Sequence, residues 1–431
     1  MKNFILMILF AGLIRAQSTT WIQPGFEQTQ HMWMDALNQF DGQLQPVVLA
    51  DLVQVNGPFT DIQNEKLNAE IRGLVGISDT PDLVWSRVPG STWPFWQAPN
   101  FPVRRRGASD IFSAENGKIY ISWRWSHNLS EAHLEGGRFV EDVVWGQAGR
   151  ADGQLGEPVS VAVTTKGDYV ILERLNNRIS IFNAQHVFQR AIYPTRQFPM
   201  QNPVAMTLHD GDAHWTNLRE SFLVIIDADG ERLLRVSLEG RILSVVKQDF
   251  PFKTYKFVNA TTDYYGCVYI TDTLNDCIHK FDPDLNYLVS LALTPDGEPM
   301  INPTGITLDN RYGQGWFSDS TGVHYFWVGT DTLNWRTGFS TLKNAVMGAF
   351  RLTEPAYVTV SVKNESGQVL AILMEHQKFL FDTIKYKWPI PWGFDGSTVQ
   401  LEVQLTPTYA SRKYFTKTVK QEITIDASSN D

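Results

Sequence analysis

Cysteine is scarce. Two occur in 431 residues, Cys267 and Cys277, which excludes a disulfide-stapled scaffold and a four-thiolate zinc site. The stretch around them reads as a hairpin turning near Leu274, with Cys277 opposite Thr271 and Cys267 opposite Phe281. That spacing is about 13 Å along strands rising about 3.3 Å per residue, too far for a disulfide, so two free core thiols are expected. Positive charge is also short: 37 Lys and Arg against 46 Asp and Glu give a net charge of -9. Nucleic-acid binding rests on clustered cations that release counterions, so no nucleic-acid partner is expected. The one basic run, Arg104-Arg105-Arg106, reads as a solvated loop.

Long apolar runs are missing too. The exception is Phe4 to Ile14, preceded by Lys2 and followed by Ala16. It is too short to span a bilayer and has the layout of a signal peptide, so residues 1–16 are set apart from the fold. The mature protein is expected to be exported, to the periplasm, the cell surface or the medium, with no transmembrane segment. Catalytic signatures are absent as well: no Gly-x-Ser-x-Gly elbow, no His-Glu-x-x-His and no phosphate-binding glycine loop. Glu141 and Asp142 adjoin, so on a strand they point to opposite faces and form no acid/base pair. These absences weigh against an enzyme without excluding one, because a site assembled from distant strands has no local signature.

What the chain does have is repetition. "VILERLNNRISIFN" (Val170 to Asn183) and "YITDTLNDCIHKFD" (Tyr269 to Asp282) each read as strand, polar turn and strand, with matching residue types in matching order. Extended backwards, the first gains a strand Val159 to Val163 after Pro158 and a turn at Lys166-Gly167. The second has Phe257 in place of the proline and Gly266 in its turn. Two weaker copies start at Pro203 and Pro303, and a degenerate one runs through "SDIFSAENGKIYISWRW". The third strands, at Ile179, Leu233, Ile278 and Tyr325, recur at the period of propeller blades. A unit of three or four short antiparallel strands cannot bury both faces alone, and radial packing of sheet on sheet solves this.

Asn176-Asn177-Arg178-Ile179, with Asp272, Asn275, Asp276 and Ile278, resembles the NHL-repeat family of β-propellers. The resemblance covers roughly residues 100–335 and implies an all-β propeller of six blades over 100–344, with residues 17–99 giving a divergent blade or ring-completing strands. From 345 to 426 the texture changes to strict alternation, as in "AYVTVSVKNESGQVLAIL" and "TVQLEVQLTP", which predicts a small β-sandwich ahead of a polar tail at 427–431. Its order resembles the immunoglobulin-like domain of flagellar hook-capping and secretion-sorting proteins. Trp392-Gly393-Phe394-Asp395-Gly396 departs from the Trp-Asp-Gly usual there, and the ending lacks the usual basic-apolar finish.

Candidate site residues follow from the repeat. Glu157, Asn202, Lys256 and Asn302 precede the first strands, where a propeller's channel opens, and the Glu and two Asn could supply calcium ligands. The competing reading is plain turn chemistry, since a residue before proline favours extended backbone. "HDGDAH" (His209 to His214) offers two His and two Asp, but an expected turn at Asp210-Gly211 keeps the histidines apart, and zinc needs converging ligands. "DADG" (Asp227 to Gly230) is a calcium-loop fragment without its later ligands and reads as a tight turn. Trp93, Phe95 and Trp96, among prolines in a connecting segment, are the aromatic surface candidates. Trp123 and Trp125 read as blade packing on one strand face. Sequons stand at Asn128, Asn259 and Asn364.

Two functions fit. One is an exported propeller binding a protein, peptide or glycan, with no cofactor. The other is a calcium- or zinc-dependent propeller hydrolase or lyase, resembling lactonases or peptidylamidoglycolate lyases. The latter needs Glu157, Asn202 and Asn302, or His209 and His324, to converge.

Overall fold

A computed structural model describes residues 106–425 apart from breaks of one to five residues, preceded by the backbone of four strands between 44 and 97. The described residues form two compact units that divide between Phe326 and Trp327. The signal-peptide segment, Trp93, Arg104 and Arg105 lie outside the described residues.

The first unit is six antiparallel sheets, each a meander in chain order. Sheet one is β1–β4 (Leu44–Val48, Leu74–Ser78, Leu83–Arg87, Phe95–Gln97), and sheet two is β5–β8 (Ala108–Ser113, Ile119–Trp123, Asn128–Glu135, Arg138–Trp145). Sheet three is β9–β12 (Pro158–Val163, Tyr169–Glu173, Arg178–Phe182, Phe188–Ile192), and sheet four is β13–β16 (Ala205–His209, Phe222–Asp227, Arg232–Ser237, Ile242–Val245). Sheet five is β17–β20 (Phe257–Thr262, Val268–Asp272, Cys277–Phe281, Tyr287–Leu291), and sheet six is β21–β23 (Gly305–Asp309, Gln314–Asp319, Gly322–Trp327). First strands neighbour one another in the order β1, β5, β9, β13, β17, β21, and β21 returns to β1. That closed circuit of six blades is a β-propeller, and residues before 100 supply a full blade.

Packing explains why the second strands are near-continuous apolar runs. Tyr169–Glu173, Phe222–Asp227 and Val268–Asp272 are buried at every residue, because each sheet is covered on both faces by its neighbours. One core joins sheets two and three through Tyr120, Val161 and Phe182. A second joins sheets three and four through Leu172, Ile179 and Leu223, and a third joins four and five through Phe222, Phe257 and Phe281.

The second unit holds β24–β30 (Thr332–Ser340, Ala345–Leu352, Ala356–Lys363, Val369–Phe379, Ile384–Pro389, Thr398–Pro407, Lys417–Thr424). They form two antiparallel sheets, ordered β24-β25-β28 and β27-β26-β29-β30. Val346, Phe350, Tyr386 and Trp388 of one face Val358, Val360, Leu401 and Val403 of the other in a single core. The alternation read from "TVQLEVQLTP" is this inward and outward pattern. The unit starts earlier than the expected boundary at 345, because Thr332–Ser340 pairs with Ala345–Leu352.

Several local expectations are corrected. The hairpin register is one residue off the sequence reading: Cys277 faces Asp272 and Val268 faces Phe281, while both cysteines are buried and neither is in a disulfide. Trp123 is fully buried, but Trp125 lies in the following turn and is exposed. Phe95 and Trp96 belong to an outer strand, opposite Ser86 and Trp85, rather than to a connector, and their side chains lie outside the described residues. The turn expected at Asp210-Gly211 is present, closed from the Ala213 N–H to the Asp210 carbonyl (3.1 Å), but it opens a longer loop reaching Ser221 rather than joining the strands directly.

Candidate functional site

The turns between second and third strands and the segments leading into first strands share one face of the ring, since every sheet runs the same way. Each of four second strands ends in a fully buried acid there: Glu173, Asp227, Asp272 and Asp319. Each accepts a backbone N–H from the chain arriving at its own sheet's first strand. The donors are Gly156 (2.7 Å), Gln201 (2.9 Å), Lys256 (2.9 Å) and Ile301 (3.1 Å). The acid thereby fixes the approach of the first strand, and a buried carboxylate needs such donors to offset its lost hydration.

The four residues singled out from the sequence sit beside these bonds. Glu157, Asn202 and Asn302 have left-handed backbone, with φ of 52°, 46° and 54°. Each donates its N–H to a side chain in the preceding sheet: Glu157 to His127 Nδ1 (3.0 Å), Asn202 to Asn177 Oδ1 (2.9 Å) and Asn302 to Asp276 Oδ1 (2.7 Å). His127, Asn177 and Asp276 are themselves left-handed, so two strained turn residues meet at each junction. Lys256 differs: its N–H goes to Asp272 directly, and its carbonyl accepts from the Thr273 N–H. The Glu157 carboxylate pairs with Arg124 (2.9 Å), and Asn202 Nδ2 donates to Asp229 (3.0 Å). The bonds to His127, Asn177, Asp276 and Arg124 run from sheet to sheet, those of Asn202 to Asp229 and of Lys256 stay within a sheet, and a ligand role for the Glu157 carboxylate or the Asn202 amide would compete with them.

The histidines of "HDGDAH" diverge. His209 is buried, within 3.0 Å of both Leu218 O and Thr216 Oγ1, and burial holds its imidazole below the ordinary range. His214 is exposed and meets Trp215 edge-on. The His324 side chain lies outside the described residues. Asp227-Ala-Asp-Gly is a turn, as expected: Asp227 binds Arg232, and Asp229 takes Arg174.

Two buried networks escaped the sequence reading. In sheet five, His279 bridges Asp272 Oδ2 (3.1 Å) and Ser290 Oγ (2.8 Å), with the Cys277 thiol 3.5 Å from Nε2. Sheets three and four have arginines at the Cys277 position, Arg178 on Glu173 and Arg232 on Asp227, so His279 replaces a missing guanidinium. That absent arginine was the available signal. Burial alone would raise the Asp272 carboxyl, but bonds from His279, Asn275 and the Lys256 N–H hold it low, while burial pushes Cys277 up. Between sheets two and three, Glu131 takes Tyr169 OH and His186 Nε2, each at 2.5 Å, under a Trp145 ring stacked on His186. Burial would raise the Glu131 carboxyl, and the bonds from Tyr169, His186 and Lys118 outweigh it and hold it low.

The ring face also carries an apolar feature no motif announced. Two residues beyond the strand-ending position stand Trp125, Leu175 and Leu274, 60%, 47% and 57% exposed, in sheets two, three and five. Ile301, leading into sheet six, is 50% exposed. Sheet four has Asp229 at the same position, tied to Arg174 and Asn202. Trp125 is held by packing on Gly107, where a Cβ would come within 2.9 Å of the indole.

Fold and face together define an all-β chain whose larger unit is a six-bladed β-propeller. No family model matches the chain, and no curated protein does. Among solved structures, it is similar to virginiamycin B lyase from Staphylococcus aureus, with TM-score 0.40 and 11% identity over 89% of this chain and 99% of that one. It is also similar to PorZ, a surface component of the type-IX secretion system of Porphyromonas gingivalis, with TM-score 0.44 and 10% identity over 82% of this chain and 50% of that one. A gluconolactonase-family protein gives TM-score 0.43 and 12% identity over 71% and 97% of the two chains. These likenesses are too distant to assign an activity.

Proposed function

We propose that the chain is an exported NHL-type propeller whose face of turns and first-strand approaches binds a protein or peptide, with an immunoglobulin-like sandwich as accessory. One observation carries the reading: the same turn position holds an exposed Trp or Leu in three of the blades. Turn tips favour polar residues, and large side chains left half or more in water add little to the fold. Repeated at one position of a ring, they make an apolar surface that a partner would cover. Many polar groups around them, among them Arg124, Glu157, Arg174, Asn202 and Asp229, are engaged in bonds within and between sheets, which favours apolar contact and backbone hydrogen bonding as the means of recognition. An aromatic anchor of this kind suits a peptide or a glycan equally, and leucines at its sister positions favour the peptide. The seven strands of the second unit, with the first, second and fifth in one sheet, support the immunoglobulin-like reading; the fourth joins the opposite sheet, unlike the constant-type order.

The test is selection of peptides from a random displayed library on the mature protein, followed by titration against the triple variant Trp125→Ser, Leu175→Ser, Leu274→Ser. Selected peptides should lose at least about tenfold in affinity for the variant, as expected when one anchoring side chain is removed. Peptides that bind both proteins equally would place recognition elsewhere. Near-stoichiometric calcium or zinc in the purified protein, with a thermal midpoint lowered by EDTA, would favour the metal-dependent enzyme instead.

A further inference from the structure

The second unit carries its own exposed apolar feature at one end. The turn joining β24 to β25 is Thr341 to Asn344, closed by a bond from the Asn344 N–H to the Thr341 carbonyl (3.2 Å). The loop after β28 contains a second turn, Pro391 to Phe394, closed from the Phe394 N–H to the Pro391 carbonyl (3.1 Å), with Gly393 at φ 76°. A bond from the Ile390 N–H to the Asn344 carbonyl (2.9 Å) ties the two loops side by side. The second position of each turn is a large apolar residue, Leu342 in one and Trp392 in the other, and both are fully exposed.

Neither side chain is covered by the fold, and each projects from a hydrogen-bonded turn. Phe394 packs edge-on against buried Trp388 at 5.5 Å, which anchors the turn from which Trp392 projects. Lys343, next to Leu342, and Lys387, on the outer face of β28, are exposed, and neither is drawn into an ion pair among the described residues. The exposed carboxylates Glu365 and Glu422 belong to the other sheet and its turn. Those two carboxylates stand at the same end of the sandwich but on the opposite sheet, so among the described residues the corner itself is apolar at its tips, with a lysine beside Leu342 and another on the adjoining strand.

We infer that this corner docks the protein on a bilayer surface carrying anionic headgroups. Two fully exposed apolar tips side by side fit a deformable surface into which they can insert. Tryptophan settles at the headgroup boundary, leucine enters the acyl region, and lysines held just behind meet the negative surface potential. The attachment is weak and reversible, since two side chains and two charges fall far short of a spanning segment.

The experiment is co-sedimentation of the mature protein with vesicles of phosphatidylcholine alone and of phosphatidylcholine with phosphatidylserine. Binding is expected to the anionic vesicles, to weaken with added salt, and to fall at least about tenfold in Leu342→Ser/Trp392→Ser, as expected from losing two inserted apolar side chains. Lys343→Glu/Lys387→Glu should weaken anionic binding as well. Both variants should melt at the parent temperature, because none of the four side chains is buried. The inference is overturned by an absence of vesicle binding, by binding that survives the apolar variant, or by equal salt-independent binding to neutral vesicles. Capture of a protein that requires Trp392 while vesicles stay unbound would overturn it too.

Discussion

His279 shows how one residue can carry a pH dependence into a ring whose third and fourth sheets are clamped by arginine instead. Burial holds its imidazole below the ordinary range, although the Asp272 carboxylate pulls the other way. The unfolded chain then takes up a proton that the folded chain refuses. This part of the stability is therefore complete above about pH 6.5 and is lost as the pH falls toward the lower folded value. Asp272, held low in the fold, keeps its own contribution to more acid pH, below about 4, where it too is lost. His209 acts with the same sign as His279. Thermal midpoints should fall between pH 7.5 and pH 5, and His279→Leu should flatten that slope while costing about 1–3 kcal/mol at the upper end. An unchanged slope in the variant would mean that His279 does not titrate across this range.

At the scale of the element, the repeated device is an acid closing its own sheet and a left-handed pair joining it to the next. The two parts differ in magnitude. Glu173→Ala takes the buried Arg178 guanidinium's carboxylate partner and leaves it mainly backbone carbonyls, a loss of about 3 kcal/mol. Asn177→Gly keeps the left-handed backbone and loses only the bond to Asn202, about 1 kcal/mol, whereas Asn177→Ala adds backbone strain and should cost about 2 kcal/mol. Denaturant unfolding of the three variants checks the order, and an alanine no worse than the glycine would remove the strain argument. This scale also marks where the sequence stops being legible. Strands and turns could be read because their signals are local: Gly167 and Gly266 in turns, alternation along Thr398–Pro407, and the Asn-Asn-Arg-Ile series. The bonds from Glu157 to His127 and from Asn302 to Asp276 span 30 and 26 residues and exist only because neighbouring sheets are brought together. For the same reason, the side chains of Glu157 and Asn202, which looked like free ligands at strand starts, are paired with Arg124 and Asp229, and the exposed position shared by Trp125, Leu175 and Leu274 emerges only once the blades are aligned.

For the whole molecule, what matters is that each unit closes its own core. The second has Val346, Phe350, Trp388, Val360 and Val403 inside two sheets of its own, a sandwich large enough to fold without the ring. Residues 327–425 expressed alone should give a folded domain with a single cooperative melt, and the full chain should show two transitions, one of which coincides with it. The ring has the opposite property. Its first sheet stands between β21 and β5, so a chain beginning at residue 106 and ending at 326 leaves two sheet faces without neighbours. Those faces are built for burial on both sides, and exposing them should turn a monomeric ring into a species that associates in size-exclusion chromatography. If that fragment were instead monomeric and melted at the parent temperature, the five remaining blades would close without the first, and residues 44–97 would be an addition to the ring rather than a part of it.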